Sequence, residues 1–152
     1  MKKWNMLIAF LYGYDVDVSG TEDEMTIANP ANGNVIRVID ESAPAGECPS
    51  ERYEEYVVEF ATQHRHFDDR EDAIDYVREL MEDETLPLEF YLEGKRRFGG
   101  DIPRAELPLL SQTRLAERFM VPPEQIAAYQ FEIYSWSGKY DAPGTPVASL
   151  PK

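Results

Sequence analysis

Two hydrophobic periods share this chain, and they change over at Asp68-Asp69. Between residues 53 and 67 β-formers alternate, so Tyr56, Val58, Phe60 and Thr62 share a face that His64 and His66 continue. From Arg70 to Glu84 the spacing is helical: Arg70, Ala73, Ile74, Val77, Leu80, Met81 and Glu84 fall on one side. Asp68 with Glu71 three residues later has capping-box spacing, with an acidic cap, and predicts a helix start there. A strand cannot supply a 3.6-residue repeat and a helix cannot supply alternation, so the chain must contain both.

The even positions from Trp4 to Val18 are all apolar (Trp4, Met6, Ile8, Phe10, Tyr12, Tyr14, Val16, Val18), which predicts a strand. Leu7, Ala9 and Leu11 on the other side make its first half buried on both faces. Gly13 marks a bend or bulge, because the run is long for one strand. A helix over residues 4–12 is the alternative, since a short apolar run fits either period. Met25-Thr26-Ile27 and Val35 to Ile39 flank Asn32-Gly33, a pair that supplies the positive φ angles of a tight turn, and predict a hairpin. Residues 41–51, with Pro44, Gly46 and Pro49, read as a loop. Leu86 to Glu93 reads as a further strand, followed by a basic turn bracketed by Gly94 and Gly99-Gly100. Ser111 to Met120 and Pro123 to Tyr134 read as two helices separated by Pro122-Pro123. This order predicts an α+β fold: a mostly antiparallel sheet of about five strands, one acidic amphipathic helix after residue 68, and a C-terminal helix pair.

At 152 residues with 43% hydrophobic side chains, the chain is expected to form one domain with its own core. Its parts are an acidic strand-rich region with its helix (1–93), a helical region (94–140) and an extended tail (141–152). The single cysteine, Cys48, permits no intrachain disulfide and fits a reducing compartment, the cytoplasm. Met1-Lys2-Lys3 before the apolar run suggests a secretory leader, but no small-residue cleavage site follows, and the run is too short for a bilayer. The expectation is core, with no membrane role.

Charge is distributed unevenly. Residues 1–93 carry 23 acidic and 7 basic side chains, a balance of −16, while residues 94–152 carry 6 and 8, a balance of +2. Such an excess repels phosphates and attracts basic surfaces, so a basic protein is the expected partner and nucleic acid is not a direct ligand. The helix concentrates the effect: Asp72, Asp75, Tyr76, Glu79, Glu82 and Asp83 project to its solvent side, with turns about 5.4 Å apart. A carboxylate row at that pitch can imitate a nucleic-acid backbone, with Tyr76 as an aromatic anchor.

Two other patterns bear on chemistry. His64 and His66, two apart on a strand, point the same way and are the metal-ligand candidates. His64-x-His66-x4-Glu71 resembles the first metal motif of cupins, although Val58 and Arg78 stand where that motif has glycines. Leu115-Ala116-x-x-Phe119-x-Val121 with Ile126 and Tyr129 resembles the apolar skeleton of a helix-turn-helix over residues 111–137. Met120 stands at its turn-glycine position, and its second helix offers no Lys or Arg for phosphates. The Lys95-Arg96-Arg97 cluster is read as offsetting neighbouring acids. No G-x-S-x-G, P-loop or dinucleotide fingerprint occurs. The expectation is therefore a non-enzymatic acidic binding protein without a cofactor. It would act as an inhibitor or nucleic-acid mimic toward a nuclease or defence complex; the alternatives are a helix-turn-helix regulator and a metal-binding domain at His64 and His66.

Overall fold

The N-terminal apolar run is a helix, not the bent strand that its even positions suggest. In the computed structural model, which describes residues 2–42 and 53–152, a 3-10 turn at Lys2–Trp4 leads into α1 (Asn5–Leu11). Trp4, Leu7 and Leu11 are buried at helical spacing, whereas Met6 and Tyr12, which alternation would bury, are 69% and 86% exposed. Between Asn5 and Tyr12 only Ile8 is β-branched, and Met, Leu and Ala favour helix, so propensity breaks the tie between the two periods. The run does build core. Trp4 is fully buried, its indole N–H donates to Glu22 O at 2.8 Å, and its ring meets Tyr56 edge-on at 5.7 Å.

The chain divides into two compact units, Met1–Glu79 and Leu80–Lys152. It is an α+β chain with two antiparallel sheets, of five and four strands. The first unit's sheet is a meander, β1 (Asp17–Gly20), β2 (Glu24–Ala28), β3 (Val35–Asp40), β4 (Tyr56–Phe60) and β5 (Gln63–Phe67), in that order. The hairpin expected around Asn32-Gly33 is present as β2–β3, with Gly33 at φ 79°. The loop expected over 41–51 lies outside the described residues beyond Ser42, as does Cys48.

Residues 53–67 are two strands, where alternation suggests one. The chain reverses at Ala61-Thr62, with Ala61 at φ 56°, and pairs Glu59 with His64 and Val57 with His66. Reversal therefore separates the expected row: Tyr56, Val58 and Phe60 face the core, while His64 and His66 are exposed on the opposite face. Met25, Ile27, Ile36 and Val38 complete the core side. Trp4 reaches that side through Tyr56, and Tyr76 reaches it through Phe67 at 5.4 Å.

Helix α2 (Arg70–Met81) begins one residue later than its capping pattern suggests. Asp69, not Asp68, caps it, accepting the Glu71 N–H at 2.7 Å. Glu71 and Asp72 in its first turn oppose the positive end of the helix dipole.

In the second unit, β6 (Thr85–Leu92) pairs with β7 (Lys95–Pro103) through a two-residue turn, Glu93-Gly94, with φ 53° and 77°. The basic cluster thus lies in a strand, not in the turn. A 3-10 stretch (Arg104–Leu109), α3 (Gln112–Arg118), α4 (Pro123–Ile126), β8 (Gln130–Ile133) and β9 (Ala142–Pro146) follow, giving the sheet order β7-β6-β8-β9. The expected long second helix is one turn, after which the chain enters β8. Phe131 and Ile133 are buried and alternate with half-buried Glu132, so strand burial overrides helical extension. Leu86, Leu88, Phe90, Ile102, Leu115, Ile126 and Val147 form the core of this unit. The tail is part strand, and Gln112 N donates to Pro151 O at 2.8 Å to tie it down.

Glu89 is fully buried on β6, and its carboxylate is held by Arg96 through Nε (2.8 Å) and Nη2 (3.3 Å). The expected offsetting role of the basic cluster falls to Arg96. Directly opposite Glu89 stands Gly99, where a Cβ would lie 2.2 Å from Glu89 Oε2. Gly99→Ala is expected to displace the ion pair and destabilise this unit by about 1–3 kcal/mol in chemical denaturation.

Lys3 Nζ donates to Asp40 Oδ2 at 2.5 Å, with Asp23 at 3.6 Å. Burial works against both charges, yet the hydrogen bond and charge of Asp40 raise the Lys3 pKa above its usual value. For Asp40, burial is likewise outweighed, by hydrogen bonds from Lys3 and Ser42, and its carboxyl is held below the usual carboxylate range. The pair's stabilisation is present above the ordinary aspartate range and lost as pH falls through the lowered Asp40 value. At the other end it is lost as pH rises through the raised Lys3 value. Lys3→Met is expected to cost about 1–2 kcal/mol at neutral pH. That deficit should shrink once pH falls below the ordinary aspartate range and close as Asp40 gains a proton through its lowered value. Urea melts of both proteins across pH check it.

Candidate functional site

The acidic helix face is narrower than its projection. Asp72 and Asp75 are exposed on α2, three residues apart, and Glu79 is half-buried one turn on. Asp75 is joined to Arg78 at 2.9 Å. Glu82 and Asp83 lie past the last residue of α2 and belong to the second unit. Asp83 is buried, takes φ 57° and accepts the Ser137 N–H at 3.2 Å, so its carboxylate is a structural acceptor. Tyr76 is no surface anchor: it is buried against Phe67, with the Arg65 guanidinium 5.6 Å from its ring centroid. The projection errs because the buried stripe includes Tyr76 beside Ala73 and Val77, one position round from the side read as apolar.

The acidic surface of the first unit extends well beyond this helix. Residues 1–79 hold 18 acidic and 7 basic side chains, a balance of −11, against 11 and 8 in residues 80–152, a balance of −3. Among the described acids of the first unit, those from Asp15 to Glu24 and from Asp68 to Asp75 are all exposed. Lys3, Arg37 and Arg78 are each engaged with neighbouring carboxylates.

The open face of the first sheet carries a second arrangement, which the sequence foreshadows only through its histidines. Arg37 on β3 bridges Glu24 on β2 and Glu59 on β4, the latter at 2.6 Å, and Glu59 Oε1 meets His64 Nδ1 at 3.1 Å. Opposite charges therefore alternate across β2, β3 and β4, as cross-strand pairing favours, and His64 on β5 continues the row as a polar neighbour. At one end of the same face His66 Nδ1 lies 3.0 Å from Glu55 Oε1. Glu41, just past β3, completes a trio with Glu55 and His66 whose ligand atoms all lie within 4.8 Å of one another. The structure separates the two histidines into different constellations and leaves Glu71, the third position of the cupin-like pattern, at the start of α2. Only the spacing of His64 and His66 pointed toward this face; the part of Glu41 depends on pairing between distant strands.

In the second unit, Tyr134 hydroxyl donates to Glu132, and burial followed by that bond drives its pKa well above the usual phenol range. The helix-turn-helix reading loses its second helix, since α4 spans only Pro123–Ile126. Met120, at the turn-glycine position, takes φ 55° and closes α3, with the Val121 N–H bonding Ala116 O at 2.9 Å. A groove of about 500 Å3 beside α3 and α4 is lined by Gln112, Thr113, Pro123, Glu124, Ile126, Ala127 and Lys152, a set with no nucleophile–base pair. No helix of the described residues is long and apolar enough to cross a membrane. Comparison of the chain with protein-family models, with curated proteins and with solved structures gives no match.

The burial contrast on α2 is directly testable. Tyr76→Ala removes a packed ring and is expected to cost about 3–5 kcal/mol, whereas Asp72→Asn on the exposed side should change stability by about 0.5 kcal/mol or less. Thermal and urea unfolding of both variants separates the core residue from the surface residue.

Proposed function

We propose that the chain is an acidic protein-binding module whose first unit engages a basic surface on another protein, as an inhibitor or nucleic-acid mimic does toward a nuclease or defence complex. The observation that supports this reading is the acid excess of residues 1–79, whose described acids from Asp15 to Glu24 and from Asp68 to Asp75 are exposed. Its acids outnumber its bases 18 to 7, and Lys3, Arg37 and Arg78 are already joined to carboxylates of the same unit. What remains is a negative surface whose field reaches about 10 Å into ordinary buffer, enough to steer a basic partner into encounter. Asp68, Asp72 and the acids between Asp15 and Glu24 are the exposed groups that would face it. Such a surface acts mainly on association rate and partner choice.

The reading predicts retention of basic nucleic-acid-binding enzymes at low ionic strength, with loss in about 0.5 M salt as screening shortens the field. In the double variant Asp68→Lys/Asp72→Lys, association should slow about tenfold while dissociation changes less. Surface plasmon resonance against a panel of nucleases, in rising salt, measures both. If no basic protein is retained at low salt, or if charge reversal leaves the association rate unchanged, the reading fails.

A further inference from the structure

The two histidines of β5 face similar glutamates in dissimilar surroundings. His64 meets Glu59, whose other oxygen is already held by Arg37 at 2.6 Å, so that carboxylate has its cation. His66 meets Glu55 at 3.0 Å, and no Lys or Arg among the described residues is joined to Glu55 or to Glu41. Instead a second carboxylate, Glu41, stands within 4.8 Å of both other ligand atoms. Two carboxylates are thus crowded around one imidazole, with no Lys or Arg among the described residues joined to either.

The crowding is built into the backbone. Glu41 N donates to Glu55 O at 2.8 Å, which extends the β3–β4 pairing one step past Asp40 and Tyr56. Ser42 Oγ accepts the Glu55 N–H at 3.1 Å and fastens the same pair from its other side. Val57 opposes His66 on β5, which places His66 diagonally across from Glu55 on the same face. Three adjacent strands or strand ends therefore each present one ligand, and a shallow cavity of about 370 Å3 opens beside Glu55, His66 and Asp68.

We propose that Glu41, Glu55 and His66 form a binding site for a first-row divalent cation of the zinc type, with water completing its shell. One imidazole with two carboxylates suits such an ion better than a hard cation, which selects oxygen ligands alone. Ligand atoms about 2.0–2.2 Å from a tetrahedral ion stand roughly 3.3–3.6 Å apart. The Glu55–His66 spacing of 3.0 Å is close to that range, and the Glu41 ligand atom lies within 4.8 Å of both. The three proposed ligands, Glu41, Glu55 and His66, are not among the acids assigned to the partner surface, so loss of either reading leaves the other testable.

Calorimetric titration of the chelator-stripped full chain with zinc chloride tests the proposal. One saturable site is expected, weakened at least tenfold by His66→Ala and by Glu55→Gln, and unchanged within twofold by His64→Ala. Magnesium chloride at the same concentration should leave the zinc isotherm unaltered. Absence of saturable binding, equal binding by His66→Ala, an equal loss in His64→Ala, or displacement of zinc by magnesium would each overturn it. Imidazole resonances of the unmodified protein give a readout that does not depend on any variant folding. Zinc should shift His66 and leave His64 in place, and the reverse pattern refutes the assignment.

Discussion

Arg37 holds two carboxylates at once, Glu24 and Glu59, across three strands of a sheet in a strongly acidic unit. A sheet face carrying glutamates on neighbouring strands repels itself unless a cation stands between them. With one guanidinium in that position, the sheet can keep a polar, open face while the other side packs Met25, Ile27, Ile36, Val38 and Val58. Lys3 does the same service at the edge of the unit for Asp40 and Asp23. Each of these cations is thus committed to the fold, and the remaining negative charge is displayed to solvent.

That division gives the two functional readings a common origin. Where a carboxylate already has its cation, as Glu59 has Arg37, the neighbouring histidine merely adds a further polar contact. Where no described cation is joined, two situations arise. Exposed acids such as Asp15, Asp17 and Asp72 stand ready for a basic partner from outside. Glu41, Glu55 and His66 are instead drawn together by strand pairing and lie close enough to share one small cation. The second unit follows a different rule: its buried Glu89 is matched by Arg96 inside the sheet, and its balance is only −3.

The α+β class, the Asn32-Gly33 hairpin, the β6 strand and the capped helix were legible because each has a strong local signal. Helix α1 was ambiguous, since Trp4, Leu7 and Leu11 fit a 3.6-residue period while an equally apolar even row fits alternation. The reversal at Ala61-Thr62 had no turn residue to announce it: Ala61 takes a positive φ that asparagine or glycine would normally occupy. Without such a residue the two strands read as one in sequence, and the pairing of Glu59 with His64 has no local signal. The β8 strand was concealed because Phe131 and Ile133 continue a helical-looking run after Pro123. Of the acidic site, Asp72 and Asp75 could be read from periodicity, but the burial of Tyr76 and Asp83 depends on what packs against them. The Glu41–Glu55–His66 trio depends on register between strands far apart in sequence, which no local pattern encodes.

The first unit carries repulsive charge in excess of its internal pairs, and hydrogen exchange resolved at the β3 and β4 amides measures that balance. Raising sodium chloride from about 10 mM to about 300 mM screens exposed repulsion more than it weakens the partly buried pairs. Protection of those amides should therefore rise with salt. A fall in protection would mean that attraction among ion pairs dominates the unit, and that its acids are already neutralised within the fold.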